Sequence, residues 1–74
     1  MSKGYYYNTP NHGRQVLHAA QARDGAWVAA WDCGASVHRL NTTHLPACRG
    51  PHAQGECQRN LDAFAKARGL EAAP

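Results

Sequence analysis

The chain has few large apolar side chains from which to build a core, and this limits its fold more than any other feature. Its 74 residues include two tryptophans, one phenylalanine and one methionine, and alanine supplies much of the 43% hydrophobic content. Alanine buries little area, so a domain of this length gains little stability from its core alone. Such small domains are usually stabilised by disulfides, a bound metal or a partner chain.

The cysteines favour a metal among these possibilities. There are three, Cys33, Cys48 and Cys57, and an odd number leaves a spare thiol in any disulfide framework. No signal peptide and no apolar run of membrane-spanning length is evident, so we expect a cytoplasmic protein. In a reducing compartment, clustered cysteines act more often as metal ligands than as disulfides.

The first strong turn signal is Asp24-Gly25, which predicts a two-residue hairpin turn between strands. In that register His18 lies opposite Trp31, and the tryptophans share one face with the alanine between them. A helix over residues 15–23 is the alternative, because this segment is rich in alanine, the best helix former.

A second hairpin is predicted from a strand over residues 35–40, a turn at Asn41-Thr42 and an edge strand over residues 43–47. This register brings Cys33 close to Cys48 at the open end of the hairpin. Two thiolates would therefore meet there.

Residues 1–13 carry three consecutive tyrosines followed by turn-forming residues, and are predicted to be a tail or an edge strand. Alternatively, the tyrosines could stack on single-stranded nucleic acid. The residues in that alternative are Tyr5, Tyr6 and Tyr7 with Lys3, His12 and Arg14.

The clearest predicted element is a helix from Glu56 to Arg68. Its apolar stripe includes Leu61 and Phe64, and Gly69 is expected to cap its C-terminus. The expected fold is therefore a small zinc-stabilised α+β domain over residues 14–70. It consists of an antiparallel three- to four-stranded β-meander and one C-terminal helix, with residues 71–74 frayed.

The thiolates and one imidazole predict a four-coordinate structural zinc site with no open position for catalysis. The helix N-terminus is expected to lower the pKa of Cys57 and so favour its thiolate. The predicted ligands are Cys33, Cys48, His52 and Cys57, with His44 or His38 as alternatives to His52. An iron–sulfur cluster, or three cysteines that are simply buried, are the competing interpretations.

The formal net charge of +3 permits an acidic partner without requiring one. Arg39, Arg49 and Arg59 are predicted to lie near the metal end and to contact phosphates, which favours a nucleic-acid-binding or regulatory accessory module. The alternative is a protein-interaction module that regulates or inhibits a larger protein. No enzymatic motif, membrane association or small-molecule substrate is evident, and a redox sensor that pairs Cys33 with Cys48 is a third hypothesis.

Overall fold

The computed structural model describes residues 3–74 and shows a four-stranded antiparallel sheet followed by one C-terminal helix. The α+β class and the order of sheet and helix are therefore confirmed. The helix is too short and too polar to cross a membrane. The elements are β1 (Tyr5–Thr9), β2 (Gly13–Gln21), β3 (Trp27–Cys33), β4 (Ser36–Arg39) and α1 (Ala53–Arg68), and the sheet order is β1-β2-β3-β4.

The core lies between one face of the sheet, here called the inner face, and α1, which packs against β2 and β3. Leu17 and Leu61 are fully buried there, and Phe64 is buried beside them. The predicted apolar stripe with Leu61 and Phe64 is confirmed, and it is the face of the helix that packs on the sheet. A smaller cluster at the N-terminal end of α1 contains Cys48 and Cys57.

The helix begins at Ala53, three residues before the predicted start at Glu56. The glycine at position 55 favoured a later start, but Ala53 is buried, and this packing favours the extra turn. Gly69 has φ 65° and ends the helix, as expected. Its N–H donates to the Lys66 carbonyl and the Leu70 N–H donates to the Ala65 carbonyl, which forms a Schellman motif.

The predicted register of the first hairpin is wrong by one residue. His18 lies opposite Ala30, not Trp31. The Ala22 N–H donates to the Ala26 carbonyl at 2.7 Å, and Gly25 has φ 90°, so the loop has three residues and ends in a glycine bulge. The shift exchanges the faces of β2.

The consequence of the shift is that Leu17 and Ala19 face the core, while His18 and Ala20 lie on the opposite face. The prediction that Trp27, Ala29 and Trp31 share the packed face of β3 is confirmed, since Ala29 and Trp31 belong to the larger core cluster and Trp27 packs against the smaller one. The alternative helix over residues 15–23 is wrong, because this segment forms β2.

The predicted edge strand over residues 43–47 is also wrong. The Leu45 N–H donates to the Thr42 carbonyl in a turn, and only Cys48 reaches the sheet, through a bridge to Trp27. Pro46 has no N–H to donate, which disfavours a ladder through this segment. The fourth strand is instead β1, from the tyrosine-rich segment.

The C-terminal residues, predicted to be frayed, lie against the outer edge of β1. The Tyr6 N–H donates to the Glu71 carbonyl, and the Ala73 N–H donates to the Gly4 carbonyl, both at 2.9 Å. An isolated bridge pairs Tyr5 with Ala72. Residues 71–73 therefore cover one edge of the sheet, because their backbone satisfies outward groups of β1 and of Gly4 before it.

A side-chain hydrogen bond ties β1 to the helix. The Tyr5 hydroxyl donates to Asp62 Oδ1 at 2.6 Å, and Gln58 donates to the same oxygen at 3.0 Å. The carboxylate hydrogen bond, followed by burial, raises the pKa of Tyr5 to about 12 from an ordinary 10.0. The folded protein therefore holds this phenolic proton more tightly than the unfolded chain does.

We expect Tyr5→Phe to lower the free energy of unfolding by about 1–2 kcal/mol at neutral pH, because the hydrogen bond to Asp62 is lost. Since the Tyr5 pKa is raised in the fold, its contribution is complete below pH 10.0 and is lost as the pH rises through about 12. The difference between variant and wild type should shrink over that range. Urea unfolding followed by tryptophan fluorescence measures it.

The matched control is Tyr6→Phe. Tyr6 points to the opposite face of the sheet, where the guanidinium of Arg14 lies 4.2 Å from its ring centroid. This substitution should leave stability unchanged. Equal losses in the two variants would contradict the importance assigned to the Tyr5 hydroxyl.

Candidate binding groove on the open face of the sheet

The face of the sheet opposite α1, here called the open face, carries exposed apolar surface. In the described part of the chain, no helix or strand lies over it. Val16 is 38% exposed and Val37 is 63% exposed, and they are the large hydrophobic residues with the greatest exposure among residues 3–74. Val37 borders a depression on this face, and the small side chains of Ala20 and Val28, further along β2 and β3, line it.

This depression, here called the arginine-rimmed groove, has a volume of about 650 Å³ and opens to solvent. Its apolar lining comes mainly from small residues of β2, β3, β4 and the hairpin loop. Arginines from three separate segments stand around that lining. The floor includes Ala20, Val28 and Val37, and the rim includes Arg23, Arg39, Arg49 and Asp24.

One ion pair closes the end of the groove at the hairpin loop. Arg49 Nη2 donates to Asp24 Oδ2 at 2.6 Å, and this hydrogen bond holds the pKa of the Asp24 carboxyl below its usual value. Asp24 therefore stays ionised and offsets the charge of Arg49. Arg23 and Arg39 form no ion pair with any residue among 3–74, so the rim keeps a positive charge.

The structure brings together two of the three arginines predicted to bind nucleic acid. Arg39 and Arg49 line the groove, whereas Arg59 is exposed on α1 and does not. Arg23 also lines the groove but was not among the predicted site residues. The sequence feature that could have indicated Arg23 is its position directly before Asp24-Gly25. A three-residue loop closed by Ala22 and Ala26 places Arg23 in the hairpin loop.

The four predicted zinc ligands do not form one site in this structure. Cys33 and Trp27 are the two ends of β3, roughly 20 Å apart along the strand, and Cys48 bridges to Trp27. Cys33 therefore lies far from Cys48, contrary to the predicted second hairpin. Within residues 3–74 no group of three or more His, Cys, Asp or Glu side chains has a metal-binding arrangement. Zinc binding stays a prediction.

Cys48 and Cys57 pack together in the smaller core cluster. Burial, followed by the neighbouring Cys48, raises the pKa of Cys57 to about 11, and burial also raises the pKa of Cys48. The expectation of a lowered Cys57 pKa is wrong for this structure, because α1 begins at Ala53 and Cys57 points into the core. The Cys48 thiol donates to the Pro46 carbonyl at 3.5 Å.

The candidate histidines also lie apart from one another. His52 is exposed directly before α1, and His44 is exposed in the loop after β4. His38 is half-buried on β4, where its ring stacks with Trp31 at 5.8 Å and lies 4.5 Å from His12. His38 is thus an aromatic packing partner in this structure.

We expect iodoacetamide to modify Cys33 in the native protein before Cys48 and Cys57. Cys33 is only half-buried, while the other two thiols are buried and have raised pKa values. Mass spectrometry after brief labelling at about pH 8 gives the order of reaction. In the urea-unfolded control all three should react alike.

The same labelling experiment tests whether the protein binds zinc through its cysteines. Protection of all three cysteines by added zinc would support the four-ligand site of Cys33, Cys48, His52 and Cys57, since bound thiolates are shielded from alkylation. Unchanged labelling of Cys33 would contradict it. Elemental analysis of the purified protein gives the metal content independently.

Searches of protein-family models, curated proteins and solved structures find no match to this chain. The geometry of the described residues is therefore the basis for inferring a function. Within that geometry, the arginine-rimmed groove combines exposed apolar surface with positive charge in one place. The cysteines and histidines show no comparable convergence.

Proposed function

We propose that this chain is a protein-interaction module that binds an acidic segment of a partner protein in the arginine-rimmed groove. The observation that carries the proposal is the combination of an apolar floor with positive charge at the rim of one open groove. Such a surface suits a segment that carries both aliphatic and carboxylate side chains.

The floor favours a protein segment over a nucleic acid. Among residues 3–74, its lining consists of alanine, valine, polar and charged side chains, and no aromatic ring lines it. Sequence-tolerant binding of single-stranded nucleic acid relies on bases stacked on aromatic rings. Of the tyrosines considered for that purpose, Tyr5 is buried, Tyr7 packs near Phe64, and Tyr6 is covered by Arg14.

The positive charge of the rim favours a negatively charged partner. Arg23 and Arg39 are exposed, and the whole chain has a formal net charge of +3. A carboxylate near these guanidinium groups would gain charge-assisted hydrogen bonds, and the net charge would steer an acidic partner towards the protein. Nucleic acid carries the same sign of charge, so it is the competing outcome in the test below.

We propose binding without catalysis. The one carboxylate lining the groove is Asp24, which is ionised and engaged by Arg49. A general base needs a pKa near the working pH, and Arg49 shifts the pKa of Asp24 away from that range. Three free cysteines support a reducing location such as the cytoplasm.

The test uses a capped peptide of sequence Thr-Glu-Thr-Val-Thr-Glu-Thr, and NMR amide shifts of the protein detect binding. We expect shifts to concentrate around Val28, Val37 and Arg39, and to weaken between about 20 and 200 mM salt as charges are screened. A peptide with lysine in place of glutamate should not bind. Arg39→Gln should weaken binding about two- to fivefold, the range for an exposed charge pair.

The matched control is Arg59→Gln, which removes an equal charge from α1 outside the groove. Its affinity for the peptide should equal that of the wild type. Equal losses of affinity in Arg39→Gln and Arg59→Gln would mean that binding depends on the net charge of the protein and not on the groove. That result would contradict the proposal. Tighter binding to single-stranded or duplex DNA, with a steep salt dependence, would favour the nucleic-acid module instead.

Asp24→Asn is expected to change the affinity for the peptide in the opposite direction to Arg39→Gln. The Asp24 carboxylate offsets the charge of Arg49, and an asparagine keeps an oxygen that can accept the Ala26 N–H. Arg49 would then be available to the peptide, so we expect Asp24→Asn to bind it more tightly. Unchanged or weaker binding by a correctly folded Asp24→Asn variant would contradict the placement of Arg49 at the binding surface.

A further inference from the structure

The two edges of the sheet differ. Along β1, residues 71–73 satisfy the outward backbone groups. Along β4, the backbone of Ser36–Arg39 pairs with β3 on one side, and within residues 3–74 nothing pairs with the other side. An unpaired strand edge is a template for a further strand.

The register of β4 on β3 shows which backbone groups of β4 are free to pair with an added strand. The Leu40 N–H donates to the Ala29 carbonyl at 2.9 Å and continues the pairing of β4 with β3. Because backbone groups alternate in direction along an antiparallel strand, the N–H and C=O groups of Val37 and Arg39 point away from β3. These are the groups that an added strand would meet.

The same residues present their side chains to the arginine-rimmed groove. Val37 and Arg39 line it, and both are exposed. Side chains directly opposite each other on adjacent strands lie on the same face, about 5 Å apart. A residue opposite Arg39 would therefore contact the guanidinium, and a residue opposite Val37 would contact its methyl groups.

We infer that the acidic segment binds as an antiparallel fifth strand on β4, with a carboxylate opposite Arg39 and an aliphatic side chain opposite Val37. This inference rests on the proposed function and specifies how the partner is held. Backbone hydrogen bonds to Val37 and Arg39 supply the pairing, and the side chains supply the selectivity.

A second copy of this chain is a poor occupant of the same edge. Pairing of β4 with β4 would bring two Arg39 side chains to a four-residue strand, and each copy has a formal net charge of +3. Like charges near each other on paired strands are destabilising. The exposed arginine thus opposes self-pairing and favours an acidic strand.

The experiment compares two backbone-methylated forms of the Thr-Glu-Thr-Val-Thr-Glu-Thr peptide. In the inferred strand, the N–H groups of its glutamates and valine point towards β4, and those of its threonines point away. Methylation of the glutamate and valine nitrogens should weaken binding at least roughly fivefold, since those hydrogen bonds are lost. Methylation of the threonine nitrogens should leave affinity unchanged and controls for the conformational effect of the methyl groups.

Hydrogen exchange gives a second measurement on the unmodified protein. Saturation with the parent peptide should slow exchange of the Val37 and Arg39 amides, which have no partner in the described chain, and leave the Tyr6 amide unchanged. Equal affinities of the two methylated peptides, a loss confined to the threonine set, or unprotected Val37 and Arg39 amides would overturn strand addition. Binding of the parent peptide would then still support the proposed function, whereas failure of that peptide to bind would contradict the function itself.

Discussion

The packing of α1 on one face of β2 and β3 is the interaction on which the rest of the structure depends. Leu17 of the sheet and Leu61 of the helix are fully buried, and Phe64 is buried beside them. Each such side chain contributes about 1.5–3 kcal/mol when it is removed from water. A chain with so few large apolar residues can supply one packed interface of this kind. That interface decides which face of the sheet is buried under α1 and which stays open.

The open face is a consequence of the same scarcity. The leucines, the phenylalanine and the tryptophans pack in the two core clusters on the helix side of the sheet, so alanine and valine supply the apolar surface on the other side of β2 and β3. Small side chains leave a depression, and the Asp24–Arg49 ion pair holds the hairpin loop and the segment after β4 at its end. The geometry that stabilises the domain therefore also produces its candidate binding surface.

The three cysteines are divided between the two core clusters. Cys48 and Cys57 belong to the cluster at the start of α1, while Cys33 packs against the larger cluster at the far end of β3. Burial keeps the first pair protonated at neutral pH. In this arrangement the thiols act as small apolar side chains, which is the usual function of buried free cysteine.

The sequence by itself determined the features that depend on neighbours along the chain. The helix stripe with Leu61 and Phe64, the Gly69 cap and the apolar face of β3 were predicted correctly, because helix periodicity, capping and strand alternation are local. Tertiary structure decided the register and the site. Asp24-Gly25 fits hairpin loops that differ by one residue, and one residue exchanges the two faces of β2. Arg23 and Arg49 meet at one groove only through the folding of distant segments, which no local pattern encodes.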